Sequence, residues 1–172
     1  MKLFEFAGVS RTEEKNMHTG TAVAAMKPRA RWTPVLSWAC RIVAALILLQ
    51  TLFFKFTAAP ESVYIFTKVA EFVHGYTLFL PVEMVQATAR IGSGVLELIA
   101  SVLLLIPRSV WAGSLLAIAA TGGAILSHLT FLGIVVQDDG GLLFALAITV
   151  ACTSMIALYL HRTQVPVIGK RF

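Results

Sequence analysis

The sequence predicts an all-α integral membrane protein. It should be a bundle of four spanning helices with both termini in the cytoplasm and a short interfacial helix between the first and second spans. Three observations predict this. Of 172 residues, 58% are hydrophobic and 13% charged, against about 45–50% and about 25% in soluble chains. Four separate apolar runs reach the roughly 17–25 residues needed to cross a hydrocarbon core. The basic residues gather at alternate ends of those runs. The runs show no barrel-like alternation, and an open sheet could not satisfy its backbone in lipid, so the spans are helices.

Residues 1–30 are polar, with no apolar run long enough for a signal-peptide core. They are predicted to form a disordered cytoplasmic tail before a membrane domain over 31–162, with a second cytoplasmic tail at 163–172. Met26 opens MKPRARWTPVLSW like a natural start, so Met17 and Met26 compete with Met1 as the start. The spans fall at about 35–57, 88–106, 110–133 and 141–160. Between the first two lies PESVYIFTKVAEFVHG, opened by Pro60 and stopped by Gly75. Val63, Phe66, Val69 or Ala70, and Val73 share one face of it. Thr67, Lys68, Glu71 and His74 share the other, as in a helix lying on a membrane surface. TLFLP then turns the chain, and Pro81 can open the second long helix. Pro81 to Ile106 spans roughly 39 Å at about 1.5 Å per residue, against a core of about 30 Å. Its first turns should project from the membrane.

Lys27, Arg29, Arg31 and Arg41, Arg108, and Arg162, Lys170 and Arg171 flank one side of the spans. Glu61, Glu71, Glu83, Asp138 and Asp139 lie on the other, with Lys68 as the exception. The positive-inside rule puts both termini in the cytoplasm. It also accounts for the net charge of +5 without a nucleic-acid partner. Cys40 and Cys152 form no CxxC motif and read as two small buried hydrophobes.

Glu97 lies within GSGVLELIASVLLLIPR. A charge at mid-bilayer costs at least about 2.5 kcal/mol. Ser93, Glu97 and Ser101 recur every four residues, with Arg90 two turns before Glu97, so this polar stripe faces other helices. Tracing the helix directions places Lys55, Glu97, His128, Asp138 and Asp139 toward the outer side. These five are the candidate ligand or proton site, with the two aspartates as a lid. Each also has a structural reading. Glu97 can serve packing, Lys55 can snorkel, His128 can make one hydrogen bond, and the aspartates can cap the fourth helix. No metal motif is present, and His128 and His161 lie at opposite ends of adjacent helices while His74 lies outside. Gly113, Ala117 and Thr121, and Ala120, Ala124 and His128, make small-residue stripes for close packing, thinned further by Gly122 and Gly123. Short links at 107–109 and 134–140 make the last three spans antiparallel neighbours.

Taken together, LFFKFTAAPESVYIFTKV, RIGSGVLELIASVLLLIPR, GAILSHLTFLGIVVQDDGGLLFAL and LYLHR resemble the DoxX family of small four-helix bacterial membrane proteins. The resemblance covers most of residues 46–162. Its lysine after the first helix falls on Lys55, its glycine-rich start and glutamate on Gly92, Gly94 and Glu97, and its late histidine on His128. Residues 71–89 are longer than the usual link. The resemblance implies a cytoplasmic-membrane protein associated with quinone-linked oxidoreductase subunits, not an enzyme by itself. A bound quinone and an oxidoreductase partner are then the expectations, with Glu97 or His128 bonding a quinone carbonyl. Two alternatives stand beside it: a small proton-coupled carrier, for which a homo-dimer would supply room, and a membrane scaffold or assembly factor.

Overall fold

A computed structural model describes residues 32–75 and 80–166. The predicted tail 1–30, its alternative starts, most of the TLFLP turn and residues 167–172 lie outside the described residues. Five α-helices follow in order: α1 (Trp32–Phe56), α2 (Pro60–His74), α3 (Val82–Leu105), α4 (Val110–Ser127) and α5 (Leu142–Leu160). A single π turn, His128–Leu132, continues α4, and a short 3-10 turn, Arg162–Gln164, follows α5. α1, α3, α4 with its π turn, and α5 are long and apolar enough to cross a membrane. The all-α four-helix architecture and the short intervening helix are as expected. The second long helix starts at Val82, directly after Pro81.

α1 packs against α3 and α5, and α4 packs against the same two, so the four helices form a square. α2 lies across the end where α1 stops and α3 begins, packed mainly on α3 and touching the π turn. This is called the α2 end here, and the other the terminal end. The core is built from small and medium side chains: Ala44, Leu48, Ala100, Leu104, Ala117 and Val150. Lipid is as apolar as leucine, so these helices gain little from hiding large side chains and associate by close backbone approach instead. The large apolar residues point outward; Leu46 is 61% and Phe53 67% exposed.

One predicted stripe does the close packing. Gly113, Ala117 and Thr121 are all buried, and a Cβ on Gly113 would stand 2.5 Å from the Leu104 backbone nitrogen. The second stripe is not a packing face along its whole length: Ala120 is half-buried, Ala124 exposed and His128 buried, and the neighbouring Gly122 and Gly123 meet nothing within 4 Å. The reason is rotational, because one face of a helix can touch only one neighbour this closely. Two further expectations are corrected. Cys40 is buried but Cys152 is exposed on the outer face of α5, where its small apolar side chain suits lipid. On α2 the buried residues are Ser62 and Ala70, while Val63 faces out; the inner stripe is Ser62, Phe66, Ala70 and Val73. Lys68, the exception in the charge pattern, donates to Glu71 one turn on at 2.9 Å. That bond holds its ammonium above the usual lysine value.

Several hydroxyls inside the spans turn back onto their own helix, though Ser114 and Ser154 are buried without a partner. Ser101 bonds Glu97 O, Thr121 bonds Ala117 O, and Thr149 bonds Ala145 O, each at 2.8 Å. Such bonds satisfy polar side chains where no water is at hand.

Candidate functional site

α1 carries Arg41, Ala44, Leu48, Thr51 and Lys55 at alternating steps of three and four, which places them on one face. α3 presents Gln86, Arg90, Ser93, Glu97 and Ser101 on the face opposite. Where the stripes meet, Lys55 Nζ donates to Glu97 Oε1 at 2.5 Å. Thr51 Oγ1 lies 2.8 Å from Glu97 Oε2 and 2.7 Å from Leu48 O, so its one proton is shared between them. The two charged side chains are 14% and 11% exposed. Gly94 permits this approach: a Cβ there would meet the Phe56 ring at 3.2 Å and Lys55 Cβ at 3.7 Å. Gly92 meets nothing within 4 Å, so of the two glycines only Gly94 serves the contact. α2 closes the site from the end, with the Phe66 ring 5.7 Å from Lys55 Nζ. A cation over an aromatic face is attracted by the ring quadrupole.

His128 is buried at the start of the π turn. Gly133 ends that turn at φ 80°, ψ 167°, a conformation essentially confined to glycine. The turn brings the Gly133 carbonyl to 2.7 Å from His128 Nδ1. A carbonyl only accepts, so Nδ1 carries the proton, and in the neutral ring Nε2 keeps its lone pair. Phe144 stands edge-on to the imidazole at 5.5 Å between centroids. Phe131 stacks on Phe72 of α2 at 4.7 Å, so α2 touches both the ion pair and the π turn.

The aspartates divide. Asp139 Oδ1 accepts from Val136 N at 2.8 Å and Gly141 N at 2.9 Å, and Oδ2 accepts from Leu143 N at 3.0 Å. It caps α5 and ties its loop. Burial alone would raise its carboxyl, but those backbone donors, with the His128 imidazole, hold it below the usual aspartate value. Asp138 is exposed in the left-handed region at φ 62°. Among the described residues, no hydrogen bond or ion pair joins Lys55 and Glu97 to His128, Asp138 or Asp139. The five predicted residues therefore fall into a bonded pair, a histidine electrostatically coupled to a capping aspartate, and one surface carboxylate.

Asp139 gives a pH test. Its carboxylate lies lower in the folded state, so its contribution is present above the ordinary value of 3.8 and fades as pH falls through the lower folded value. Asp139→Ala is expected to cost about 0.5–2 kcal/mol at pH 7, as lost caps do. That deficit should shrink in unfolding measurements below about pH 4, as the wild-type carboxylate protonates. A deficit independent of pH would contradict the cap.

Arg41 was legible in the sequence only as a topology charge. It is 2% exposed. Its Nε donates to Leu104 O at 2.5 Å and Nη2 to Leu105 O at 2.8 Å, with the guanidinium 4.0 Å above the Trp38 ring. These carbonyls end α3, so the cation meets the negative end of the helix dipole. Arg90 returns the arrangement: its Nη1 donates to Lys55 O at the end of α1. The antiparallel α1 and α3 thus each cap the other with an arginine. Spacing could have shown this, since Arg41 shares its helical face with Ala44, Leu48, Thr51 and Lys55. Ser37 Oγ and His161 Nε2, 2.7 Å apart, and Gln164 Nε2 donating to Pro107 O at 2.9 Å, tie the terminal end.

The fold and these contacts define a multi-pass membrane bundle with, among the described residues, one buried ion pair between adjacent spans. No family model, curated protein or solved structure matches the chain.

Proposed function

We propose that this chain is a DoxX-like subunit of the cytoplasmic membrane, with both termini in the cytoplasm, that associates with a quinone-linked oxidoreductase. The observation that carries this is the buried Lys55–Glu97 pair, 2.5 Å long, which joins the last turn of α1 to the middle of α3 beneath Phe66 of α2. A quinone head is an acceptor with an apolar tail. Lys55 Nζ has three protons, and Glu97, itself held by Thr51, orients it, so a carbonyl oxygen can share the ammonium. The loop charges support the orientation. The resemblance of the residues around Lys55, Gly94, Glu97 and His128 supports the family.

Full-length protein purified in mild detergent and extracted with organic solvent should release quinone in stoichiometric amount. An oxidoreductase should co-purify, and Glu97→Gln should abolish quinone retention while the protein still folds. Quinone-free protein without such a partner would overturn the reading. The scaffold reading has its own observation, that both Glu97 carboxylate oxygens already have partners inside the bundle; it predicts that Glu97→Gln alters folding yield alone. The carrier reading loses its motive, because it needed an unpaired carboxylate to load and release a proton.

A further inference from the structure

The two arginine clamps are not equivalent. Arg41 spends its Nε and Nη2 edge on two carbonyls. Arg90 reaches Lys55 O through Nη1 alone, and its Nε is buried without a hydrogen-bond partner. Among the described residues no carboxylate forms an ion pair with Arg90, and the one within the same stripe, Glu97, is held by Lys55. Lys55, Arg90 and Glu97 together leave one positive charge in excess. One turn earlier on the same face of α3, Gln86 buries Nε2 with no acceptor. Residues four apart on a helix stand about 5–6 Å from each other at Cβ.

α2 packs on α3. In its first turn Ser62 is 6% exposed, and its Oγ has no partner. Ser62 lies one turn before Phe66, whose ring faces the Lys55 ammonium, and Lys55 is the residue whose carbonyl holds Arg90. The seam between the first turn of α2, the first half of α3 and the end of α1 therefore contains three buried polar groups lacking partners. Two of them can only donate. Leaving such groups unpaired in a buried site is unfavourable, most of all for a charged one.

We propose that this seam binds an oxyanion of the phosphate type, held by Arg90 Nε, Gln86 Nε2 and Ser62 Oγ. A guanidinium edge flanked by an amide and a hydroxyl matches adjacent phosphate oxygens. The excess charge is neutralised on binding, and Glu97 stays with Lys55, so the site stands apart from the quinone reading. Both a lipid headgroup and free phosphate present this chemistry.

The test uses the full chain in a maltoside detergent, which carries no phosphate. Native mass spectrometry would count retained phosphatidylglycerol against diacylglycerol, which has the same tails without the phosphate. Thermal melts would compare inorganic phosphate with chloride at equal ionic strength. Selective retention of phosphatidylglycerol, with free phosphate silent, assigns the site to a lipid headgroup; a phosphate-specific rise in melting temperature assigns it to the soluble anion. In either case Arg90→Gln should weaken binding about tenfold or more, as loss of a charge-assisted contact does. Arg90 also caps α1, so the Ser62→Ala, Gln86→Leu double variant, which leaves that cap in place, provides the second arm. No selectivity for phosphate in wild type, or unchanged binding in the folded double variant, overturns the proposal.

Discussion

Replacing Glu97 by leucine is expected to cost about 3–5 kcal/mol, the usual consequence of leaving one partner of a buried ion pair without its counter-charge. The Lys55 ammonium would keep its place between α1 and α3, 14% exposed, with Phe66 above it and no carboxylate beside it. Lys55→Met should be similarly damaging, because Glu97 would retain only the shared proton of Thr51. The double variant Lys55→Met, Glu97→Leu separates the charge from the packing. Matched apolar replacements of buried pairs are often close to neutral, so it should recover to within about 1 kcal/mol of wild type. Unfolding in mixed detergent, followed by the fluorescence of Trp38 and Trp111, measures all three. A double variant as unstable as either single one would show that the pair contributes specific geometry rather than mutual neutralisation.

Gly113→Ala should carry the second largest penalty, about 1–3 kcal/mol, as overpacking does. The new methyl would lie 2.5 Å from Leu104 N, 2.8 Å from Leu103 C and 2.9 Å from Leu103 Cβ. Two of these atoms are backbone and cannot swing aside, so α3 and α4 must separate. Gly122→Ala and Gly123→Ala are the controls on the same helix. Nothing lies within 4 Å of either added Cβ, and Ala is the better helix former by about 0.5–1 kcal/mol. These two should be neutral or mildly stabilising. Equal losses at all three positions would mean that helix flexibility, not the α3–α4 contact, governs the response.

The helices were legible because lipid imposes length and composition on each span, and these survive without any knowledge of neighbours. The Ser93–Glu97–Ser101 stripe was legible for the same reason: a polar face on an apolar helix must point inward. Depth alone grouped Lys55, Glu97, His128, Asp138 and Asp139, and depth does not fix rotation about the bundle axis. α1 meets α3 directly, which joins Lys55 to Glu97. His128 opens the π turn that continues α4, across the square from α1, and its partner is the Gly133 carbonyl that this turn, which no periodicity announces, supplies. Asp138 and Asp139 are adjacent in sequence yet differ in role because the backbone is left-handed at both Gln137 and Asp138. Arg41 was read as a boundary charge because charge counting asks which side a residue is on, not which carbonyls it reaches.

The reciprocal arginine caps bear on how the protein is made. When α1 leaves the ribosome, the carbonyls that Arg41 needs lie 63 residues further along the chain. Until α3 is synthesised, α1 carries a guanidinium that hydrocarbon will not accept, and the end of α1 awaits Arg90. Neither helix is a finished membrane unit alone. They are expected to enter the bilayer as a hairpin, and a nascent chain halted before Leu104 to be held at the insertion machinery or degraded rather than released.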